Sequence, residues 1–262
     1  SLPNAWDDYF ALGLLLILPL AGFFTEAMRL ISSTPDWAQY SFVGNGLAGL
    51  LYRAGLTPQA AFSIHPYLVL THIFLGLTFV ASIPFTKLRH LIMAPLNVIL
   101  KPERPYGALR VIEDIEETET LGVGQIIEFT PKDLLALDAC LRCGRCEEVC
   151  PATVSGLDYS PRSLLMDLRD AMIDSIGGAA ANGNDDAAKE LPAHLFEEEA
   201  LWSCTTCGAC LTRCPAFIRP PERVVDLRRY QILMTGEMPK PVGDTLRNFE
   251  RQGNPWGMPP QD

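Results

Sequence analysis

Cys140-Leu-Arg-Cys143-Gly-Arg-Cys146-Glu-Glu-Val-Cys150-Pro151 recurs as Cys204-Thr-Thr-Cys207-Gly-Ala-Cys210-Leu-Thr-Arg-Cys214-Pro215, and these stretches hold all eight cysteines of the 262-residue chain. Spacings of two, two and three residues before a proline are too short and too regular for a disulfide framework. Three thiolates so spaced wrap one face of an iron-sulfur cubane, while the fourth, displaced along a helix, points away and reaches a second cluster. One 4Fe-4S cluster is therefore expected on Cys140, Cys143, Cys146 and Cys214, and the other on Cys204, Cys207, Cys210 and Cys150. Zinc also uses paired CxxC units, but it takes four ligands and would leave the repeat unexplained. Gly144 and Gly208 occupy the same place in each repeat, where a left-handed backbone would turn its amides toward sulfur. A cluster held by four protein thiolates has no open iron for substrate, so the chemistry expected here is electron transfer.

Working outward, 48% of the residues are hydrophobic, yet the net charge is -10, so apolar and acidic character must sit in different regions. Tyr9 to Thr25 carries no charge and the apolar run continues to Ile31, long enough for a transmembrane helix kinked at Pro19. A second uncharged run covers Ala54 to Thr86, with Pro66 expected as the first residue of a span that ends near Pro84. The loop between them, Ser32 to Ser63, has a short apolar patch at Leu47 to Tyr52 suited to an interface, not to a third span. Lys87, Arg89, Lys101, Arg104 and Arg110 follow the second run, whereas that loop holds only Arg53. The positive-inside rule then puts the cysteine-rich half in the cytoplasm, where a reducing environment keeps thiolates available to iron. Nothing forms the basic stripe that nucleic acid requires. Ser1 opens the chain with neither Met nor a basic leader, which reads as a processed or truncated start.

The expected fold class is all-α: a membrane domain over 1–104, with spans near 9–31 and 66–86 and an interfacial helix at Met93 to Leu100. An acidic linker over 105–130, rich in charge from Glu113 to Glu119, precedes an α-helical dicluster ferredoxin domain over 131–236 and a Pro-rich tail over 237–262. Ser160-Pro161 makes an N-cap and first-turn pair, and Leu164, Leu165, Leu168, Met172 and Ile176 share one helical face. Gly177 to Asp186 reads as a loop. Helices are expected from about Pro192 to Trp202 and from Pro221 to about Met234.

His72 and His90 are 18 residues apart, five turns of an uninterrupted helix and about 27 Å along it. One histidine near each surface, facing the same way, is how a helix would hold two stacked b-type haems; the alternative is a polar packing residue at His72 and an interfacial one at His90. His65 shares the face but is expected beyond the hydrocarbon core, and His194 is expected to be an ordinary residue of the soluble part.

The segment from His72 through Pro84-Phe85-Thr86-Lys87-Leu88-Arg89-His90 resembles the last helix of the gamma subunit of respiratory nitrate reductases, a dihaem cytochrome b in which the matching histidines are axial ligands. Leu121-Gly-Val-Gly124, Leu137-Asp-Ala-Cys140, Trp202-Ser-Cys204-Thr-Thr-Cys207 and Gly253-Asn-Pro-Trp-Gly257 resemble membrane-bound heterodisulfide-reductase-type iron-sulfur oxidoreductases. These include enzymes that take electrons from electron-transfer flavoprotein to quinone. The resemblance implies an inner-membrane, multi-pass subunit that relays electrons between a soluble donor or acceptor, such as a flavoprotein, and membrane quinone through two 4Fe-4S clusters and haem b. It also implies companion membrane or iron-sulfur subunits. Alternatives are a haem-free membrane-tethered ferredoxin and a quinol-dependent disulfide reductase subunit running in reverse. That family has about five spans and further cysteine-rich domains, so a partial chain is expected. The chain has four histidines, two of them misplaced, so the opposing haem ligands are expected from outside it.

Overall fold

The computed structural model describes residues 5–105, 107–112, 115–181, 191 and 198–259. Its regular elements are all helices, with no strand among the described residues. Two compact units divide after Leu91, earlier than residue 104.

In the first unit, α1 (Ala5–Ser32) packs along α3 (Pro58–Ser82), and α2 (Phe42–Arg53) lies against α1. Ala27, Leu30, Ala38 and Ala48 form a small core, where alanines let the backbones approach closely. The stretches Asp8–Ser32 and Pro58–Phe85 are long and apolar enough to cross a membrane, and at about 1.5 Å per residue each exceeds a hydrocarbon core of about 30 Å. None of the apolar window of the second is buried, which a core helix of a water-soluble protein would not tolerate. Leu70, Phe74, Leu77 and Val80 instead present an exposed apolar surface suited to hydrocarbon. The third helix starts eight residues earlier than Pro66, because Thr57 accepts a hydrogen bond from the Ala60 N–H and Pro58 follows it at the first turn, the stronger start signal. Pro66 sits inside the helix.

The same helix does not continue to His90. It ends at Ser82, and 3₁₀ turns over Ile83–Phe85 and Lys87–Arg89 lead to α4 (His90–Ile99). Pro84 lacks an amide proton, and Thr86 adopts an extended conformation and caps the next turn through the Leu88 N–H. The five-turn register between His72 and His90 therefore does not hold.

The second unit has a core of Leu137, Leu164, Leu165, Leu168, Val224 and Leu227 and neighbours. It comes from α5 (Pro131–Asp138), α8 (Pro161–Ala181) and α11 (Pro220–Tyr230), with the short α6 (Arg145–Glu148), α7 (Pro151–Val154), α9 (Glu198–Trp202) and α10 (Ala209–Arg213) in the cysteine segments. Ser160 caps α8 by accepting the Ser163 N–H at 3.1 Å, and Leu164, Leu165, Leu168 and Met172 are buried as their spacing predicts. This helix runs on to Ala181 through Gly177 and Gly178, where a loop is expected from Gly177; the alanine-rich sequence outweighs the glycines. Glu113 and Asp114, the rest of that loop and the helix start near Pro192 lie outside the described residues.

The stretch read as linker is partly core: Val123, Ile126 and Phe129 are buried. Gly122, with φ of 101°, brings the chain so close to α11 that a Cβ would lie 2.4 Å from the Tyr230 nitrogen and 2.5 Å from the Asp226 oxygen. The Val123 N–H donates to that Asp226 carbonyl at 3.0 Å. The tail also carries structure, α12 (Lys240–Gln252), closed by Gly253 in the left-handed region.

Candidate metal centre

Each cysteine group is carried by an extended loop that turns into a one-turn helix. Arg142 and Thr206, each before the second cysteine of its group, have φ of 54° and 52°; Gly144 and Gly208, capping α6 and α10, have 79° and 77°. The two repeats thus share one backbone path, and α6 packs against α10. Left-handed residues at these places tilt successive amides toward one point.

A cavity of about 30 Å3 is lined by Cys140, Cys143, Cys146 and Cys214, and by Cys210 as well. Cys214 comes from the second repeat, so the first three cysteines meet the last cysteine of the other group. Cys204, Cys210 and Cys150 are buried around Tyr159, while Cys207 is exposed. Among the described residues, no three His, Cys, Asp or Glu side chains close on a point as a single ion requires. The first group surrounds a space, as a cubane with four irons needs.

Burial, and then the proximity of Cys140 and Glu147, pushes the Cys146 thiol up to about 12. Burial and the neighbouring Cys204 push Cys210 up to about 12 as well. The thiols are therefore held protonated by their surroundings, and a cationic core that binds them must displace protons.

Several residues without a sequence signature frame these loops. The Arg228 guanidinium donates to the carbonyls of Leu201 and Cys204, at 2.7 Å each, and lies over the Trp202 ring at 4.7 Å. Glu147 accepts from Ser160 at 2.5 Å and pairs with Arg162 at 3.1 Å, at the rim of the first cavity. Tyr159 is buried, its hydroxyl lies beside the Cys204 thiol with no oxygen or nitrogen partner, and Cys204, Cys210 and Cys150 push its ionisation up further than burial alone. Tyr159 stands two residues before the proline that starts α8, as Ile218 stands two before the proline that starts α11. Ile218 lines the first cavity. Aligning the repeats on those prolines would have singled out both.

The histidines are placed differently from the expectation. His65 and His72 line one cavity of the first unit together with Gly22, Glu26, Arg29 and Trp37. The His72 Nδ1 is buried without a partner, and a Cβ on Gly22 would lie 3.4 Å from its Cε1. His90 does not line that cavity; its Nδ1 is 2.5 Å from the Lys87 carbonyl oxygen. His194 lies outside the described residues.

Residues 132–215 match the 4Fe-4S dicluster domain family. The chain is 32% identical to the EtfAB:quinone oxidoreductase of Syntrophomonas wolfei, over 96% of this chain and 39% of that protein. It is 31% identical to the probable iron-sulfur-binding oxidoreductase FadF of Bacillus subtilis, over 95% of this chain and 40% of that one. A probable membrane-anchored ferredoxin of Chromohalobacter salexigens is 34% identical over 56% of this chain and 24% of its own length. No solved structure matches the chain. The chain spans about two fifths of the length of the first two relatives. It carries a 4Fe-4S dicluster domain and resembles iron-sulfur-binding oxidoreductases over nearly its whole length.

Proposed function

We propose that the chain is a membrane-anchored electron relay between a soluble redox partner and membrane quinone. The observation that carries this reading is the cavity lined by Cys140, Cys143, Cys146 and Cys214, in which two sequence repeats share one site. Its counterpart uses Cys204, Cys207, Cys210 and Cys150. When bound, each cluster supplies one-electron transfer at a centre with no open coordination site. The polypeptide holds the two sites next to each other by packing α6 on α10, excludes water with the core around Leu165, Ile218 and Tyr159, and pins the Cys204 loop through Arg228.

In the membrane unit His72 and His90 are the proposed haem b ligands. His72 lines a cavity of the first unit and its Nδ1 has no partner, and donation from the His90 Nδ1 to the Lys87 carbonyl would leave Nε2 free to ligate. Neither remaining histidine can oppose them: His65 is on the His72 side of the same helix and His194 belongs to the cysteine-bearing half, so the opposing ligands come from another helix. The names of the relatives supply the partners: quinone and an electron-transfer flavoprotein, with other subunits as in the heterodisulfide reductases. The basic residues after the second span support a proposed orientation with the cluster domain on the cytoplasmic side of the inner membrane. The likeness to a membrane-anchored ferredoxin, and the break between Ser82 and His90, favour as a second reading a relay without haem. A pyridine haemochrome assay on the complex extracted from membranes with its companion subunits separates the two.

The test of the relay is EPR of the reduced protein after Cys214→Ser and Cys150→Ser. Each is expected to alter the cluster held mainly by the opposite repeat. A Cys150→Ser variant that perturbs only the cluster of the Cys140 group would refute the exchanged ligation.

A further inference from the structure

A second cavity in the cysteine-bearing unit, about 290 Å3, is unrelated to either cysteine group and has the size of a small-molecule site. It is bounded by the segment Asn97 to Arg110, the start of α5 and the start of α11. That segment is tied in place: the Asn97 Nδ2 donates to the Ala216 carbonyl at 2.6 Å, and Arg219 donates to the carbonyls of Pro102 and Arg104 at 3.1 and 3.2 Å.

The lining is strongly cationic. Arg104, Arg110, Lys132, Arg219 and Arg223 face only two carboxylates, Asp133 and Glu222. Both carboxylates are already used, Asp133 by Arg110 at 2.6 Å and Arg223 at 2.8 Å, and Glu222 by Arg104 at 2.6 Å and Arg219 at 2.9 Å. Asp226, one turn along α11, is the next carboxylate within reach of Arg223 and Arg110, and it pairs with Arg229 at 3.8 Å. Counting it still leaves positive charge in excess.

Two cations carry that excess. Lys132 bonds only to the carbonyl and side-chain oxygens of Asn97. Burial, then the charge of Arg223, draws its ammonium below the usual lysine range. Arg223 is 3% exposed, and its Nε and Nη1 have no partner. An uncompensated ammonium beside a buried guanidinium is costly unless an anion balances the charge.

We propose that this cavity binds a phosphate-class oxyanion, held by Lys132 together with Arg104 and Arg110, with the buried charge of Arg223 behind them adding to the attraction. Planar guanidinium forks and a mobile ammonium are the usual combination for tetrahedral phosphate oxygens. The oxyanion is either free phosphate or the headgroup of an anionic phospholipid, which basic residues that follow a membrane span recruit.

The test uses the detergent-purified, cluster-loaded chain, with isothermal titration of inorganic phosphate. Its second arm measures thermal loss of the iron-sulfur absorbance in nanodiscs of phosphatidylcholine with and without phosphatidylglycerol. Saturable phosphate binding identifies a free-anion site; stabilisation by phosphatidylglycerol without phosphate binding identifies a headgroup site. In either case Lys132→Gln is expected to weaken the effect by roughly 10- to 100-fold, the weight of one charged hydrogen bond. Lys240→Gln, in α12 and outside the lining, leaves it unchanged. Arg104→Gln serves if the first variant does not accumulate with its clusters. Neither phosphate binding nor lipid dependence, or phosphate affinity and lipid stabilisation in Lys132→Gln (or in Arg104→Gln where it is the variant used) equal to those of the unsubstituted protein, overturns the proposal.

Discussion

Tyr159→Phe isolates one atom. The hydroxyl is buried beside the Cys204 thiol and near Cys210 and Cys150, so its natural role is to donate to a sulfur of the second cluster. A hydrogen bond to a charged group contributes about 1.5–3 kcal/mol. Taking about half as the part that grows when an electron is added gives about 0.75–1.5 kcal/mol. At about 59 mV per factor of ten for one electron, this corresponds to about 30–60 mV. Tyr159→Phe is therefore expected to lower the midpoint potential of the second cluster by about 30–60 mV and to leave the first cluster, whose counterpart residue is Ile218, where it was. Because the hydroxyl has no partner among the described residues besides that cysteine sulfur, the change should cost the fold little. An EPR-monitored redox titration of both clusters measures it. A shift under about 10 mV, or an equal shift of both clusters, would refute the assignment of the donor.

Arg228→Met removes two carbonyl bonds and the Trp202 contact, and is expected to cost about 2–4 kcal/mol and to lower iron content in the Cys204 repeat; chemical denaturation and iron analysis measure both. Burial alone would raise the Asp133 carboxyl, but Arg223 and Arg110 outweigh it and hold it below the usual range. The stability from that depressed group is present above the unfolded value near about 3.9 and is lost as pH falls through the folded one, so the cysteine-bearing unit is expected to melt earlier on acidification below about pH 4. Asp133→Asn should remove that acid dependence and cost about 3–5 kcal/mol at neutral pH by stranding Arg223, as thermal melts across pH would report. Gly122→Ala meets backbone atoms at 2.4 and 2.5 Å in a left-handed conformation and is expected to destabilise by about 2–4 kcal/mol in the same melts.

What could be read from the sequence alone was local or periodic. The cysteine spacing and its repetition define a binding path without reference to any distant residue, and the two apolar runs follow from the length that a bilayer requires. Ser160-Pro161 and the leucines behind it name a helix and its buried face, because a cap and a 3.6-residue period are properties of one segment. Tertiary structure decided whatever depends on segments far apart in the chain. Leu121 to Phe129 looks like acidic linker until Gly122 is seen against α11, a contact that composition cannot express. His72 and His90 share a register only if the helix between them is unbroken, and the Ser82 to Arg89 turns break it. Tyr159, Arg228 and the Lys132–Arg223 pocket are ordinary residues in sequence; they gain their roles where burial removes water and leaves a hydroxyl, a guanidinium or an ammonium to find its partner within the protein or its ligand.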